Sequence, residues 1–125
     1  MARFYLLVSA GGLFLAALSY GLAPKLVLPI ALDVTVDGTD MTHIFRTIMG
    51  LYLGMVVLWV LGAFRESFTR SAVIAVIFFM LGLASGRLLS VAVDGPPSPL
   101  LLGYTAVEVA IGVWGIFVLR KLEAP

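Results

Sequence analysis

Apolar residues fall into four long runs that are separated by short polar or proline-rich segments. The runs cover residues 4–22, 43–64, 71–93 and 100–119, and each is close to the length of about 20 residues that a helix needs to cross a bilayer core. The first run has no charged residue, and each of the others has one. The pattern therefore predicts four transmembrane helices.

The segments between the runs predict how these helices are connected. Residues 94–99 read Asp-Gly-Pro-Pro-Ser-Pro, which cannot continue a helix because proline lacks the amide donor. We expect a tight hairpin there. The first connection, residues 23–41, is longer and contains an apolar stretch at 26–36, which either lies on the outer membrane surface or caps the bundle. Short connections favour antiparallel helices with up-down topology.

The distribution of basic residues predicts the orientation in the membrane. Cytoplasmic connections carry an excess of Lys and Arg. One side of the four spans has five such residues just beyond the helix ends, whereas the other side has Lys25 alone. The five are Arg3, Arg65, Arg70, Arg120 and Lys121. We expect both termini to be cytoplasmic and the connection 23–41 to lie outside.

Composition agrees with an integral membrane protein and excludes some functions. The chain has 125 residues, of which 62% are hydrophobic and 12% charged, so we expect one all-α transmembrane domain, a four-helix bundle, over residues 1–125. A net charge of +1 offers no basic surface for a nucleic-acid partner. The absence of cysteine excludes disulfides and thiolate chemistry. No metal site or cofactor is predicted.

Small residues recur at helical spacing in every span. Helices in lipid associate by close packing of small residues, because burying apolar surface there provides little net attraction. The second and third spans each carry a GxxxG pattern. We therefore predict that one set of glycines packs between helices: Gly12, Gly50, Gly54, Gly82, Gly86 and Gly112.

Aromatic residues near the predicted cytoplasmic ends suit the membrane interface. Trp59, Trp114 and Tyr5 lie there, and amphipathic rings are enriched at the headgroup level. We predict that they anchor the helices at that interface.

Three charged residues within the spans are the most unusual chemical feature. Taking 1.5 Å per residue, Arg46, Arg87 and Glu108 lie roughly 6, 9 and 12 Å inside the outer ends of their helices. A charge near the bilayer centre costs at least about 2.5 kcal/mol, so these side chains should face each other or a wet cavity. Arg87 with Glu108 is the preferred pair, Asp94 is a second acceptor for the guanidinium, and His43 lies one turn outside Arg46.

This cluster has two interpretations that the sequence leaves open. In one, His43, Arg46, Arg87, Asp94 and Glu108 form a structural clamp that fixes the helices in register. In the other they line an outward-facing pocket, where guanidinium groups hold a carboxylate, a phosphate or a quinone-like carbonyl by forked hydrogen bonds. No catalytic grouping of nucleophile and base is present, so we do not expect an enzyme.

Two arginine-containing helical motifs resemble a known family. Residues 43–55 (HIFRTIMGLYLGM) and 82–90 (GLASGRLLS), followed by Asp94-Gly95, are similar to the bacterial membrane family called domain of unknown function 4345 (DUF4345). The resemblance extends over nearly the whole chain. It implies a small four-helix protein of the bacterial inner membrane, with a more distant likeness to DoxX-like architecture. It implies no reaction, so the motif residues His43, Arg46, Arg87 and Glu108 are candidates without roles.

Three functional hypotheses are compatible with these residues. The first is a non-enzymatic protein that binds a small anionic or lipid-like ligand, or serves as an accessory subunit of a larger membrane complex. The second is a proton-linked transporter that uses Glu108, and the third is a membrane enzyme acting on a lipid or quinone. The expected partners are membrane lipids and either other membrane subunits or further copies of the chain.

Overall fold

The computed structural model describes residues 1–124 and contains five helices in that part of the chain. Four of them, α1, α3, α4 and α5, are long and apolar enough to cross a membrane. The described residues form no strand, so the prediction of an all-α bundle with four spanning helices is confirmed. The helices are α1 (Ala2–Gly21), α2 (Pro24–Leu32), α3 (Gly38–Phe64), α4 (Glu66–Asp94) and α5 (Pro99–Glu123).

Three helices extend beyond the apolar runs from which they were predicted. α3 begins at Gly38 and α4 at Glu66, so that Arg65 alone separates them, and α5 continues to Glu123. Hydrophobicity marks only the part of a helix that lies in hydrocarbon, and a helix continues into water through polar turns. Arg120 and Lys121 lie in the last turn of α5, where positive charge is favourable to the helix dipole.

The first connection folds into the short helix α2. It begins with Pro24 at a position that needs no amide donor, and it ends at Leu32, after which Asp33 adopts the left-handed conformation with φ 56°. Pro24 and Leu28 are buried, whereas Leu26 and Ile30 are exposed. α2 packs against α1 and α3, so it covers part of the bundle and also presents an apolar surface.

The four long helices are antiparallel to their neighbours. α1 packs mainly on α3, α3 also packs on α4, and α4 packs mainly on α5, whereas α1 and α5 touch over a short stretch. We call the end that holds Ala2, Arg65 and Glu123 the termini end, and the end that holds Gly21 and Pro99 the loop end. At the termini end, Arg3 Nε donates to the Ala63 carbonyl oxygen at 3.0 Å.

Aromatic rings form the centre of the core. Trp59 packs edge-on against Phe79 with ring centroids 5.4 Å apart, and Tyr52 packs edge-on against the same ring at 5.3 Å. Trp59 and Tyr5 are completely buried, so the prediction that these two rings anchor the interface is wrong. Edge-to-face pairs between helices stabilise them in the core.

The glycines that pack between helices are mostly not the predicted ones. A methyl group at Gly112 would meet Leu81, whereas open space surrounds the other five predicted positions. The prediction that they pack against other helices of the same chain is therefore wrong for Gly12, Gly50, Gly54, Gly82 and Gly86.

The physical reason is visible on α3. Gly50 and Gly54 are each two residues from the buried Tyr52, which places them about 160° away around the helix. Large aromatic residues set which face of α3 is buried. A small-residue face exposed to lipid has little cost, because lipid tails are as apolar as the helix.

We predict that Gly62→Ala destabilises the bundle by about 1–3 kcal/mol, the usual cost of overpacking a well-packed core. The added methyl group would collide with the Ala72 Cβ and crowd the Phe68 carbonyl oxygen. Gly54→Ala is the matched control on the same helix, because open space surrounds Gly54. It should be neutral or slightly stabilising, since alanine has the higher helix propensity. Reversible unfolding in mixed micelles measures both, and equal losses would contradict the packing described here.

Candidate functional site

An ion pair joins α4 and α5 in the interior of the bundle. Arg87 Nε donates to Glu108 Oε1 at 2.8 Å, and the two side chains are 22% and 10% exposed, respectively. The predicted pairing of these two residues is confirmed. Helix register explains it: Arg87 lies seven residues before the end of α4, Glu108 lies nine residues after the start of α5, and the two helices are antiparallel.

The pair lies at the wall of a cavity of about 220 Å³ that is lined by residues of all four spanning helices. Most of the lining is apolar and comes from α1, α4 and α5. Polar groups are few, so their positions determine what the cavity can recognise. The apolar part of the lining includes Leu13, Ala16, Met80, Leu83, Val107 and Ile111.

Three tyrosines accompany the ion pair in the cavity lining. The Arg87 guanidinium lies over the Tyr104 ring, 5.7 Å from its centroid, an arrangement in which the ring quadrupole attracts the cation. Tyr20 and Tyr52 pack edge-on at 6.1 Å and also line the cavity. The guanidinium is thereby held in place by Glu108 on one side and by an aromatic face on another.

Arg87 keeps hydrogen-bonding capacity after it has bound Glu108. Its Nε makes the bond to the carboxylate, and within residues 1–124 its two Nη groups form no salt bridge. A guanidinium carries five N–H donors in a fixed planar fork. The Tyr20 hydroxyl is close enough to the guanidinium to compete for one of them. Since Arg87 lines the cavity, its remaining Nη donors are available to an acceptor placed inside it.

The cavity opens sideways between α1 and α5. Near the termini end the two helices are joined, because Tyr5 Oη donates to the Ile111 carbonyl oxygen at 2.8 Å and the Tyr5 ring packs on Trp114. Towards the loop end, the cavity lining is exposed at Gly12 on α1 and at Val107 on α5. We call this gap between α1 and α5 the seam. Because α1 and α5 are both long and apolar enough to cross a membrane, an opening midway along them would face acyl chains and not water.

Comparison with known proteins identifies the family. The sequence pattern of the family described as Domain of unknown function (DUF4345) matches residues 1–119, which include the four spans, Arg87 and Glu108. The chain belongs to the DUF4345 family. No curated protein and no solved structure matches it.

Two predicted members of the charged cluster lie outside the cavity of this DUF4345 protein. Arg46 and His43 are exposed and line a shallow depression near the loop end. Arg46 is six residues from the buried Tyr52, which turns it about 120° away from that side chain. Its predicted meeting with Arg87 and Glu108 is therefore wrong, although its depth in the membrane is similar.

Asp94 does not join the cluster either. Its carboxylate is exposed and accepts a hydrogen bond from Ser90 Oγ at 3.1 Å. Asp94 lies two turns beyond Arg87, about 10 Å further along α4, so its predicted role as a second acceptor for the guanidinium is wrong. The cluster reduces to one arginine and one glutamate.

Tyr20 and Tyr52 of the DUF4345 chain were not predicted as site residues. Both lie inside apolar runs, where a phenolic hydroxyl needs a partner or a polar cavity. That requirement is the sequence signal that could have identified them. Tyr52 also lies on the face of α3 opposite Gly50 and Gly54. The glycine pattern predicts that the glycine face is the buried one, and this prediction places Tyr52 towards lipid.

Proposed function

We propose that this DUF4345 protein is a non-enzymatic ligand-binding protein of the bacterial inner membrane, with both termini in the cytoplasm. Its ligand is small, mostly apolar and carries one hydrogen-bond acceptor. The observation that supports this proposal is the combination of an apolar cavity, an opening towards lipid and an arginine in the cavity wall whose Nη groups are paired with no carboxylate within residues 1–124. A ligand dissolved in the membrane would enter through the seam.

The cavity volume limits the size of the ligand. An apolar cavity of about 150 Å³ holds one benzene molecule. The volume of about 220 Å³ found here suits a single ring with a short substituent, or a similar length of alkyl chain. A longer molecule would leave its remaining chain in the seam, where exposed apolar side chains such as Val107 meet lipid.

The ion pair favours a neutral acceptor over a free anion. Arg87 and Glu108 together carry no net charge, and an anion bound to the guanidinium would lie close to the Glu108 carboxylate at its Nε side. A carbonyl oxygen accepts a hydrogen bond from Arg87 without this repulsion. Removing such an acceptor from the ligand leaves donors unpaired in an apolar site, so the site discriminates against a pure hydrocarbon.

The proposal is tested with two probe ligands that differ in one carbonyl group, valerophenone and pentylbenzene. We expect the wild-type protein in lipid nanodiscs to bind the ketone about tenfold more tightly, which corresponds to about 1.4 kcal/mol from a charge-assisted hydrogen bond. The double variant Arg87→Met/Glu108→Leu removes the donor together with its partner and keeps the volume similar. It should bind both probes with equal affinity in a calorimetric titration.

Two outcomes would contradict the proposal. If the wild-type protein binds the two probes equally, Arg87 does not recognise the acceptor. If neither probe binds, the cavity is not a site for ligands of this size.

A further inference from the structure

A second polar site lies at the loop end, separate from the cavity. It is a shallow depression of about 280 Å³ lined by Lys25 of α2 and by Thr39, Thr42, His43 and Arg46 of α3. None of these five residues lines the cavity at the ion pair. The depression is therefore a distinct feature, and any ligand that it binds is independent of the proposed function of the cavity.

The residues converge because of helical spacing and the position of α2. Thr39, His43 and Arg46 are spaced by four and three residues, so they share one face of α3. α2 packs against α3 and brings Lys25, from its first turn, to that face. Two helices thus contribute basic groups to one concave surface, and none of the described residues that line it is acidic.

The basic groups are not used in ion pairs within the protein. Asp37 and Asp40 lie close by in sequence, yet within residues 1–124 neither Lys25 nor Arg46 has a carboxylate oxygen within 4 Å. Thr42 donates its hydroxyl to the Gly38 carbonyl oxygen, whereas the Thr39 hydroxyl donates to no acceptor within residues 1–124. The depression therefore presents an ammonium group, a guanidinium group and a hydroxyl as donors to an external acceptor.

The depression lies at the boundary between hydrocarbon and headgroups. Lys25, Thr39 and Thr42 lie outside the predicted span 43–64, and Arg46 lies about 6 Å inside it, where its long side chain can extend to the headgroup layer. α3 has 27 residues and is about 40 Å long, whereas the bilayer core is about 30 Å thick, so its first turns extend out of the hydrocarbon. In α2 and just before it, Leu22, Leu26 and Ile30 are 64%, 67% and 82% exposed. Apolar side chains with that exposure are stable when they are immersed in lipid next to a polar headgroup layer.

We propose that this depression binds a phosphate group, with Arg46 and Lys25 as the principal donors. Guanidinium and ammonium groups make short, charge-assisted hydrogen bonds to phosphate oxygens, and the planar guanidinium can make two in parallel. The exposed apolar side chains of α2 would contact the acyl chains when the phosphate belongs to a phospholipid. A free phosphate would use the same donors without the acyl contacts.

Native mass spectrometry of the full chain, released from micelles, tests the inference with two lipids that share acyl chains. Dioleoyl phosphatidylglycerol carries the phosphate group, and dioleoylglycerol lacks it. We expect the wild-type protein to retain dioleoyl phosphatidylglycerol at least tenfold more strongly than it retains dioleoylglycerol. The variant Lys25→Gln/Arg46→Gln should lose about tenfold in phospholipid retention and keep its retention of dioleoylglycerol.

A matched control uses an arginine at the opposite end of the bundle. Arg65 is exposed and forms no ion pair within residues 1–124, so Arg65→Gln removes one positive charge without altering the depression. Its phospholipid retention should equal that of the wild type. Equal retention of the two lipids by the wild type, or an unchanged phospholipid retention in Lys25→Gln/Arg46→Gln, would overturn the inference.

Inorganic phosphate distinguishes the two sources of the ligand. Displacement of the phospholipid by millimolar phosphate, lost in Lys25→Gln/Arg46→Gln, would support the site and identify free phosphate as a ligand. Absence of displacement, with the phospholipid preference intact, would support a lipid headgroup site. Binding of valerophenone in the cavity should be the same in this variant as in the wild type, so the two proposals can fail independently.

Discussion

Replacing Glu108 with alanine should lower the free energy of unfolding of the bundle by about 3–5 kcal/mol. The substitution leaves the Arg87 guanidinium, which lies in the interior of the bundle, without its carboxylate partner at 2.8 Å. An uncompensated charge in a low-dielectric environment has a large desolvation cost. Reversible unfolding in mixed micelles measures the loss, and retained helix content in circular dichroism shows that the variant still folds.

Two controls separate the loss of the pair from general damage. The double variant Arg87→Met/Glu108→Leu removes both charges and should be more stable than Glu108→Ala, because no charge is left unpaired. Glu123→Ala breaks the exposed pair of Arg70 with Glu123, whose side chains are 65% and 47% exposed, and should cost at most about 1 kcal/mol. If Glu108→Ala is no more costly than Glu123→Ala, the interior pair is not what holds α4 and α5 in register.

Filling the cavity from α1 should abolish ligand binding without destabilising the fold. Gly12 lines the cavity, and within residues 1–124 no heavy atom beyond its chain neighbours and its own helix backbone lies within 4 Å of a methyl group built there. A leucine side chain at that position can extend into the cavity and occupy the volume that the ligand needs. We expect Gly12→Leu to weaken binding of valerophenone more than tenfold, measured by the same calorimetric titration.

Gly11→Leu is the matched control for this prediction. Gly11 is adjacent, exposed and equally surrounded by open space, but it does not line the cavity. It should bind valerophenone as the wild type does, and both variants should be at least as stable as the wild type, since leucine favours helix more than glycine. Equal loss of binding in the two variants would show that the effect comes from α1 as a whole and not from the cavity.

The four spans and the Arg87–Glu108 pair could be predicted from sequence for clear physical reasons. The length of an apolar run is set by the thickness of the bilayer, so the spans follow from counting residues. Arg87 and Glu108 are too costly to leave alone in lipid, and their depths along antiparallel helices match. Depth and opposite charge favoured this pair, but the same two criteria also admitted Arg46 as a partner of Glu108.

The rotation of each helix could not be predicted in the same way. Arg46 has a similar depth, but it faces a different direction because α3 is oriented by Tyr52 and Trp59 in the core. Glycine stripes indicate where helices can approach closely, and lipid permits such a stripe to remain exposed. The glycine pairs of α3 (Gly50 and Gly54) and α4 (Gly82 and Gly86) therefore did not mark the faces that are buried within this chain.

The cavity also lies beyond what the sequence pattern indicates. It exists because α1 and α5 meet at Tyr5, Ile111 and Trp114 and then leave the seam open towards the loop end. Such a divergence depends on how side chains of different helices fit together, and no periodicity within a single helix encodes it. The same is true of the depression at Lys25 and Arg46, which depends on the folding of α2 against α3.

An experimental structure of the protein in a lipid nanodisc, solved with valerophenone, would decide whether the cavity is a binding site. We predict density for the ketone between Gly12 and Tyr104, with its carbonyl oxygen within hydrogen-bonding distance of an Arg87 Nη and the pair with Glu108 intact. A closed seam, with α1 packed on α5 along its whole length and a dry Arg87–Glu108 pair, would contradict the proposal and leave the pair as a structural clamp.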